Sequence, residues 1–343
     1  MKKEYTDLRK LAAGSRNIVI TTHLIPDGDA IGSELAMYSY LKAKKKTVHI
    51  INHSSTPDNL VFLDPKKLIS VFLRNKERNE KLIKKADIIF ILDTNEYSRT
   101  KSMEQCIRES SAKKVCIDHH LGTKKNSYDL IISNIDYPAT SQILYEYLIF
   151  EGKKYITPFV ATALYAGIMT DTGSFRYPRT DEKTFLICAD LIKKGADPVY
   201  VYDKTYSNIA PGKVKLLSRF ISSLSFHFDG SVAVGRVTQK DFGDYKSDVQ
   251  DVEGFSTFLM NIKNVKAGFV LVELKDTIKM SFRSKGDISI NEFAKLFGGG
   301  GHKNAAGATV PRVTLDELED EIVSRFKTFR FKYRNQFAKF KKG

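Results

Sequence analysis

Four short segments of this 343-residue sequence set carboxylates and imidazoles beside apolar runs. The first is His23-x-x-x-Asp27-x-Asp29, where one apolar run ends and a helical pattern begins. The second is Asp93, directly after Ile88–Leu92, and the third is Asp118-His119-His120, directly after Lys114–Ile117. The fourth is Asp171, in Thr170-Asp171-Thr172-Gly173 after the apolar stretch Leu164–Met169. Singly, each has an ordinary explanation, since an Asp after a strand is a common turn or cap residue. For the first motif, a helix cap by Asp29 and a metal site stand as equal readings. Taken together, His23, Asp27, Asp29, Asp93, His119 and Asp171 form a mixed carboxylate–imidazole set without thiolates. That set favours Mn²⁺ or Mg²⁺ over structural zinc, with Zn²⁺ and Co²⁺ still open. Six ligands suit two ions that share a bridging carboxylate. Two ions about 3.5–4 Å apart activate a water and hold both attacking and leaving oxygens of a phosphoryl displacement. The chemistry implied is phosphoester hydrolysis.

The elements that must position these groups read as an α/β unit. Asn17–Thr22, Val48–Asn52, Ala86–Leu92 and Lys114–Ile117 are short apolar strands. Helical patterns lie between and after them, with Ile31, Leu35, Tyr38 and Leu41 on one face and further patterns at Ala139–Phe150 and Pro158–Met169. Strands apolar on both faces and separated by helices predict a parallel sheet covered on each side. Ligands of such sheets gather at the carboxyl ends of the strands, where these side chains would emerge.

Breakers at Gly195-Ala196-Asp197-Pro198 and Pro211-Gly212 mark a connector, after which the pattern changes. Ser231–Val237 alternates, Val265–Leu274 and Thr277–Phe282 flank a Lys275-Asp276 turn, and a helix at Ile290–Phe297 runs into four glycines. This predicts a smaller α+β domain. Gly298-Gly299-Gly300-Gly301-His302 can bring bare backbone N–H groups to a phosphate, with His302 as a further donor. Arg283 reads equally as a second anion contact or a solvated charge.

Composition sets the outer limits. Hydrophobic residues make up 42% and charged residues 28%, which excludes wholesale disorder. No apolar run reaches the ~18 residues of a membrane span, and the start carries no apolar signal core, so a cytoplasmic protein is expected. The three cysteines, Cys106, Cys116 and Cys188, form no C-x-x-C pair and support neither a disulfide framework nor a thiolate site. The net charge is +15, and residues 322–343 hold eight basic side chains and no acid. An anionic partner is the natural inference.

The motif order from Asp27-x-Asp29 through Asp93, Asp118-His119-His120 and Thr170–Gly173 to Gly298–His302 resembles the DHH phosphoesterase superfamily. The glycine-rich segment resembles the DHH-associated type 1 C-terminal domain. The resemblance covers Asn17 to Val310. Thr21–Ser33, Leu92–Arg99 and Gly167–Arg176 look most like the bifunctional oligoribonuclease and 3′-phosphoadenosine-5′-phosphate (pAp) phosphatase group, the nano-RNases. The chain is expected to be too short for a full RecJ-type exonuclease and to lack the membrane segments of membrane-bound cyclic-di-AMP phosphodiesterases. Its glycine loop argues against a family II pyrophosphatase.

The resemblance implies a catalytic domain over 1–195, a connector over 196–224, a substrate-binding domain over 225–320 and a basic aromatic helix or tail over 321–343. It implies one Mn²⁺ on His23, Asp27 and Asp93 and a second on Asp29, Asp93, His119 and Asp171. His120 would lie beside the reacting phosphate, with Asp118 orienting the site from behind. Arg99, Arg283, Gly299, Gly300, Gly301 and His302 would contact a substrate lying between the domains. Isoleucine at position 25 departs from the polar residue expected there. The implied substrates are short single-stranded RNA or pAp. The alternatives are a soluble phosphodiesterase for cyclic or linear dinucleotides and a catalytically silent nucleic-acid-binding relative, against which the six filled ligand positions speak.

In the tail, Phe326, Phe329, Tyr333, Phe337 and Phe340 recur at spacings of three and four, one face of a helix. Arg325, Lys327, Arg330, Lys332, Arg334, Lys339, Lys341 and Lys342 fill much of the remainder. Two readings are open: a docked terminal helix with solvated charges, or one whose basic side extends an RNA path.

Overall fold

The computed structural model describes residues 1–122, 127–207 and 209–337. Lys339, Phe340, Lys341 and Lys342 of the tail pattern lie outside the described residues. The chain forms two units, Met1–Asn208 and Ile209–Gly343. In chain order the first holds α1 (Lys2–Gly14), β1 (Asn17–Thr21), α2 (Gly28–Ala43), β2 (Thr47–Asn52), β3 (Ile69–Val71), α3 (Lys76–Lys84) and β4 (Ile88–Leu92). It continues with α4 (Glu104–Glu109), β5 (Lys113–Asp118), β6 (Leu130–Ser133), α5 (Thr140–Glu151), α6 (Pro158–Asp171), α7 (Glu182–Lys193) and α8 (Pro198–Tyr206).

Its six strands form one parallel sheet in the order β3-β2-β1-β4-β5-β6. Alternate side chains feed two cores. Ile18, Ile20, Ile88, Phe90 and Leu92 enter one, and Val19, Ile89 and Ile91 enter the other. Both faces are therefore covered, as the uniformly apolar strands predict. The sequence reading missed β3 and β6, three- and four-residue edge strands that are only partly buried and so carry no two-faced apolar signal. One contact on the first core is unusually close. A Cβ on Gly32 of α2 would sit 2.2 Å from the Ala163 carbonyl oxygen of α6. Only glycine lets the two helices cross there, almost backbone to backbone.

The second unit holds α9 (Pro211–Ser222), β7 (Ser225–His227), β8 (Val232–Val237), α10 (Gln239–Tyr245), α11 (Phe255–Asn261), β9 (Ala267–Glu273) and β10 (Thr277–Ser284). It ends with α12 (Ile290–Lys295), β11 (Gly300–His302), β12 (Ala305–Pro311), α13 (Leu315–Phe329) and α14 (Arg334–Phe337). The strand order is β11-β12-β10-β9-β8-β7, antiparallel except for the parallel pair β8–β9. Phe269, Phe282, Phe293 and Phe326 pack on one face, while Leu216, Phe220, Val270 and Val272 pack on the other. The stretch 196–224, expected as a connector, is divided between the units and carries α8 and α9.

The tail starts inside α13, which spans the expected boundary at 320/321. A 3₁₀ turn at Arg330–Tyr333 interrupts it, so the aromatic face is not one continuous helix. Phe326 is fully buried, Phe329 and Phe337 pack against the same core, and Phe331 is exposed. Some of the basic groups are engaged at home. The Arg330 guanidinium lies 4.1 Å from the Phe228 ring centroid, and Lys332 Nζ is 2.7 Å from Glu292 Oε2. Among the described residues no helix is long and apolar enough to cross a membrane.

Candidate metal centre

The parallel sheet delivers three of the four motifs to one edge. Asp93 and Asp118 stand at the carboxyl ends of β4 and β5, and His23 follows β1. Asp171 arrives differently, as the last residue of helix α6. The helix crossing explains how it reaches the others. A Cβ on Gly28 would sit 2.4 Å from Thr170 Oγ1, and one on Gly167 would sit 2.0 Å from Ser141 Oγ and 3.0 Å from Asp29 Oδ1. These glycines let the ends of α2 and α6 close on each other with Asp29 and Asp171 between them.

Asp27 caps the helix with one carboxylate oxygen and turns the other toward His23. Its Oδ1 accepts from the backbone N–H groups of Asp29 and Ala30, each at 3.0 Å, and caps α2. Its Oδ2 lies 3.9 Å from His23 Nε2. The cap is thus Asp27, two residues earlier than the expected Asp29. Asp29 is instead buried and accepts from Thr140 N at 2.6 Å and Ser141 N at 2.8 Å, at the start of α5. That helix terminus favours the carboxylate charge. Asp93 Oδ1 accepts from Thr140 Oγ1 at 2.9 Å. The Asp93 backbone is left-handed, with φ 57°, a strained conformation that aims its side chain back at the site. Sequence reading missed Thr140 and Ser141; the only trace was a polar step before the apolar pattern of α5.

The two histidines are oriented alike. His23 Nδ1 lies 2.8 Å from the Leu24 carbonyl oxygen, and His119 Nδ1 lies 3.1 Å from that of Tyr137. A carbonyl can only accept, which assigns the proton to Nδ1 and the lone pair to Nε2. Both Nε2 atoms are buried without a hydrogen-bond partner. His23 Nε2 is 3.4 Å from Asp93 Oδ2, and His119 Nε2 is 3.1 Å from Asp171 Oδ2 and 3.5 Å from Asp93 Oδ1. Ligand atoms gather within 4.8 Å of one another in the groups His23–Asp27–Asp93, Asp29–His119–Asp171 and Asp93–His119–His120. Asp93 belongs to two of these groups, and His119 to two.

The electrostatics need a cation. Burial, then the Asp29 charge, pushes the Asp93 carboxyl well above its ordinary range, and the same causes push Asp171 up to about 8. Burial also lowers the pKa of His23, keeping its imidazole neutral. The neutral His23 imidazole, with the His119 Nε2 also turned inward among crowded carboxylates, makes the donor set a divalent ion requires. The residues present fit the metals the resemblance implies.

A model of the DHH family N-terminal domain matches residues 17–168, and one of the DHHA1 domain matches residues 229–329. An exopolyphosphatase-related protein from Bacteroides fragilis, known from its crystal structure, is 31% identical with a TM-score of 0.89, over 99% of this chain and 98% of that one. The chain belongs to the DHH family. Among curated proteins, the bifunctional oligoribonuclease and PAP phosphatase NrnA of Thermus thermophilus is 29% identical over 89% of this chain and 88% of its own. The cyclic-di-AMP phosphodiesterase GdpP of Geobacillus thermodenitrificans is 27% identical over 92% of this chain but only 48% of its own.

In the DHH unit, Asp118 is fully buried and grips His120 twice. Its Oδ1 lies 2.7 Å from His120 Nδ1, and its Oδ2 accepts the His120 backbone N–H at 3.1 Å. The His120 side chain remains 41% exposed. The Arg99 carbonyl accepts from Leu24 N at 2.7 Å, and its guanidinium is close enough to His23 to oppose protonation there. Ile25 is exposed, with a left-handed backbone, and its N–H donates to Ser54 Oγ at 3.2 Å. Arg179, which the sequence reading missed, places a positive charge near Asp171.

In the DHHA1 unit Gly300 and Gly301 of the glycine run form, with His302, an exposed edge strand. Gly300 and His302 of β11 lie opposite Gly307 and Ala305 of β12. A Cβ on Gly299 would sit 2.1 Å from the Gly307 carbonyl oxygen, so packing alone demands glycine there, whereas Gly300 faces open space. Gly301 is held tightly against β12, with a Cβ 2.5 Å from the Ala305 carbonyl oxygen. Arg283 of β10 lies opposite the same Ala305, in line with His302.

Proposed function

We propose that this DHH-family chain is a phosphoester hydrolase using two Mn²⁺ ions, that it cuts short oligoribonucleotides to mononucleotides, and that it dephosphorylates pAp to AMP. The observation that carries this reading is the pair of ligand groups sharing Asp93, with two buried imidazole Nε2 atoms lacking any other partner. His23, Asp27 and Asp93 would hold one ion, and Asp29, Asp93, His119 and Asp171 the other. Held there, the ions would supply Lewis acidity, lowering the pKa of a bound water and offsetting charge on the phosphate.

The chain's own residues do the rest. The Leu24 and Tyr137 carbonyls lock the imidazoles of His23 and His119 with Nε2 inward. Thr140 and Ser141 fix Asp93 and Asp29. Asp118 holds His120 by Nδ1 and presents Nε2 to the reacting phosphate, where it steadies the phosphoryl oxygens as the leaving oxygen departs. Arg99 supplies a second positive contact. In the DHHA1 unit Arg283, His302 and the backbone of Gly299, Gly300 and Gly301 are the proposed nucleotide contacts.

The likeness to a cyclic-di-AMP phosphodiesterase favours a second reading, a phosphodiesterase for cyclic or linear dinucleotides. One panel separates them: pAp, pApA, five-mer RNA and cyclic-di-AMP, each assayed with Mn²⁺ and with Mg²⁺. Turnover of pAp and short RNA is expected. Turnover of cyclic-di-AMP alone would replace the first reading with the second, and turnover of none with either ion would overturn both.

A further inference from the structure

The carboxyl end of β2 stands beside that of β1 in the parallel sheet, yet the metal centre takes no ligand from it. The first residue past β2 is His53, at the edge where ligands of such sheets gather. Its Nδ1 lies 2.8 Å from Ser102 Oγ and accepts the Ser102 backbone N–H at 3.4 Å. A backbone N–H can only donate, which assigns the lone pair to Nδ1 and the proton to Nε2. Among the described residues that Nε2–H has no acceptor, and the ring is half-buried. His53 is thus held as a donor, in the opposite tautomer from the metal-facing His23 and His119.

Two further contacts knit this corner to the metal centre. The Ile25 N–H donates to Ser54 Oγ at 3.2 Å, so the Ser54 hydroxyl keeps its own hydrogen for another partner. The Leu24 N–H donates to the Arg99 carbonyl at 2.7 Å, in the same 3₁₀ segment, Tyr97–Met103, that carries Ser102. The loops after β1, β2 and β4 therefore form one surface that begins at His23. Ile25 is the odd residue on it. A β-branched side chain at positive φ is an outlier, yet Ile25 has φ 52° and is 66% exposed. Its burial does little to offset that strain, and strain of this kind collects at ligand sites. The loop 53–57 holds no acid. An exposed aliphatic side chain beside two unfilled donors, His53 Nε2–H and Ser54 Oγ–H, fits a nucleoside: its base packs on the apolar side, and its ring nitrogens and sugar oxygens accept.

We propose that Ile25, His53 and Ser54 form a subsite for the nucleoside carried by the phosphoryl group under attack, downstream of the bond that breaks. It rests on the phosphoester hydrolase reading and adds to it what tells a diester from a monoester. In pApA, attack of water on phosphorus breaks the bond to the 3′ oxygen, that oxygen takes up a proton, and two AMP result. In pAp the same bond breaks, and AMP and phosphate result. The two substrates differ only in the adenosine on the phosphoryl group, so pApA fills the subsite and pAp does not.

The test is Ile25→Asn/His53→Asn in the full chain. Asparagine tolerates the left-handed backbone at position 25; at position 53 its Oδ1 replaces Nδ1 as acceptor for the Ser102 N–H, while Nε2–H is lost. In EDTA, calorimetric titration should show the unaltered chain binding pApA more tightly than pAp, and the variant binding the two alike. With Mn²⁺, kcat/KM for pApA should fall roughly tenfold, while that for pAp stays within about twofold. Equal losses on both substrates would make the two residues a support of the metal edge and overturn the subsite. So would an unchanged ratio of pApA to pAp. Should the variant melt well below the unaltered chain, Ile25→Asn alone, which relieves strain, carries the same comparison. If the unaltered chain hydrolyses neither substrate, the hydrolase reading fails, while the titration in EDTA still decides the subsite: no preference for pApA overturns it.

Discussion

Replacing Asp93 by Asn should stabilise the metal-free protein while destroying its response to metal. Asparagine is the right probe because Asp93 has φ 57°, a conformation Asn tolerates and Ala does not. It also keeps the oxygen that accepts from Thr140 Oγ1. The change replaces a carboxyl whose charge is disfavoured by burial beside Asp29 and Asp171 with a neutral amide. At pH 8 in EDTA that relief is worth about 1–3 kcal/mol. For a unit of this size it raises the melting temperature by roughly 2–4 °C per kcal/mol. With Mn²⁺ at 100 times its dissociation constant, the unaltered chain gains about 2.7 kcal/mol, roughly 5–10 °C. If losing a ligand shared by both groups weakens binding 100-fold, the variant at the same concentration gains only about 0.4 kcal/mol, roughly 1–2 °C. Differential scanning calorimetry with and without Mn²⁺ reads both signs. A variant that melts below the unaltered chain in EDTA, or that keeps the full Mn²⁺ shift, would refute the account of Asp93 as a shared, uncompensated ligand.

Other outcomes follow from single contacts. Burial pushes the Glu34 carboxyl from 4.5 up to about 8, so the folded state holds a proton the unfolded chain has lost. Stability at saturating Mn²⁺ should therefore fall as pH rises from about 4.5 to 8, and Glu34→Gln, which still accepts from Asn52 Nδ2, should flatten that slope in pH-dependent urea melts. Gly167→Ala would put a Cβ 2.0 Å from Ser141 Oγ and should cost about 1–3 kcal/mol and weaken Mn²⁺ binding by calorimetric titration. Adding Ser141→Gly should recover part of that loss. Phe326→Ala should cost about 3–5 kcal/mol in chemical denaturation, whereas exposed Phe331→Ala should stay within about 0.5 kcal/mol.

Much of this protein is written locally. A strand apolar on both faces has nowhere to sit but between helices, so Ile88–Leu92 alone implies the covered parallel sheet, and the residue after it must emerge at the ligand edge. That reasoning reaches Asp93, Asp118 and His119 without any coordinates, and the absence of thiolates narrows the metal. Asp171, which ends a helix, is reached only as a member of the motif set, and for Asp27 and Asp29 that reasoning leaves cap and ligand open, since either can cap a helix that begins nearby. Their roles were decided by contacts between residues more than a hundred positions apart, such as Thr140 N on Asp29 Oδ2. The glycines of α2 and α6 permit that closeness, yet nothing around them in sequence names their partner. The same is true of the glycine run before His302: locally it reads as bare backbone able to approach a phosphate, and only pairing with β12 makes Gly300–His302 an edge strand. Periodicity records which side chains leave water together, because burial acts on each element alone. Which buried groups then meet depends on how helices cross and which carbonyl faces which imidazole, and those contacts exist only once the chain has folded.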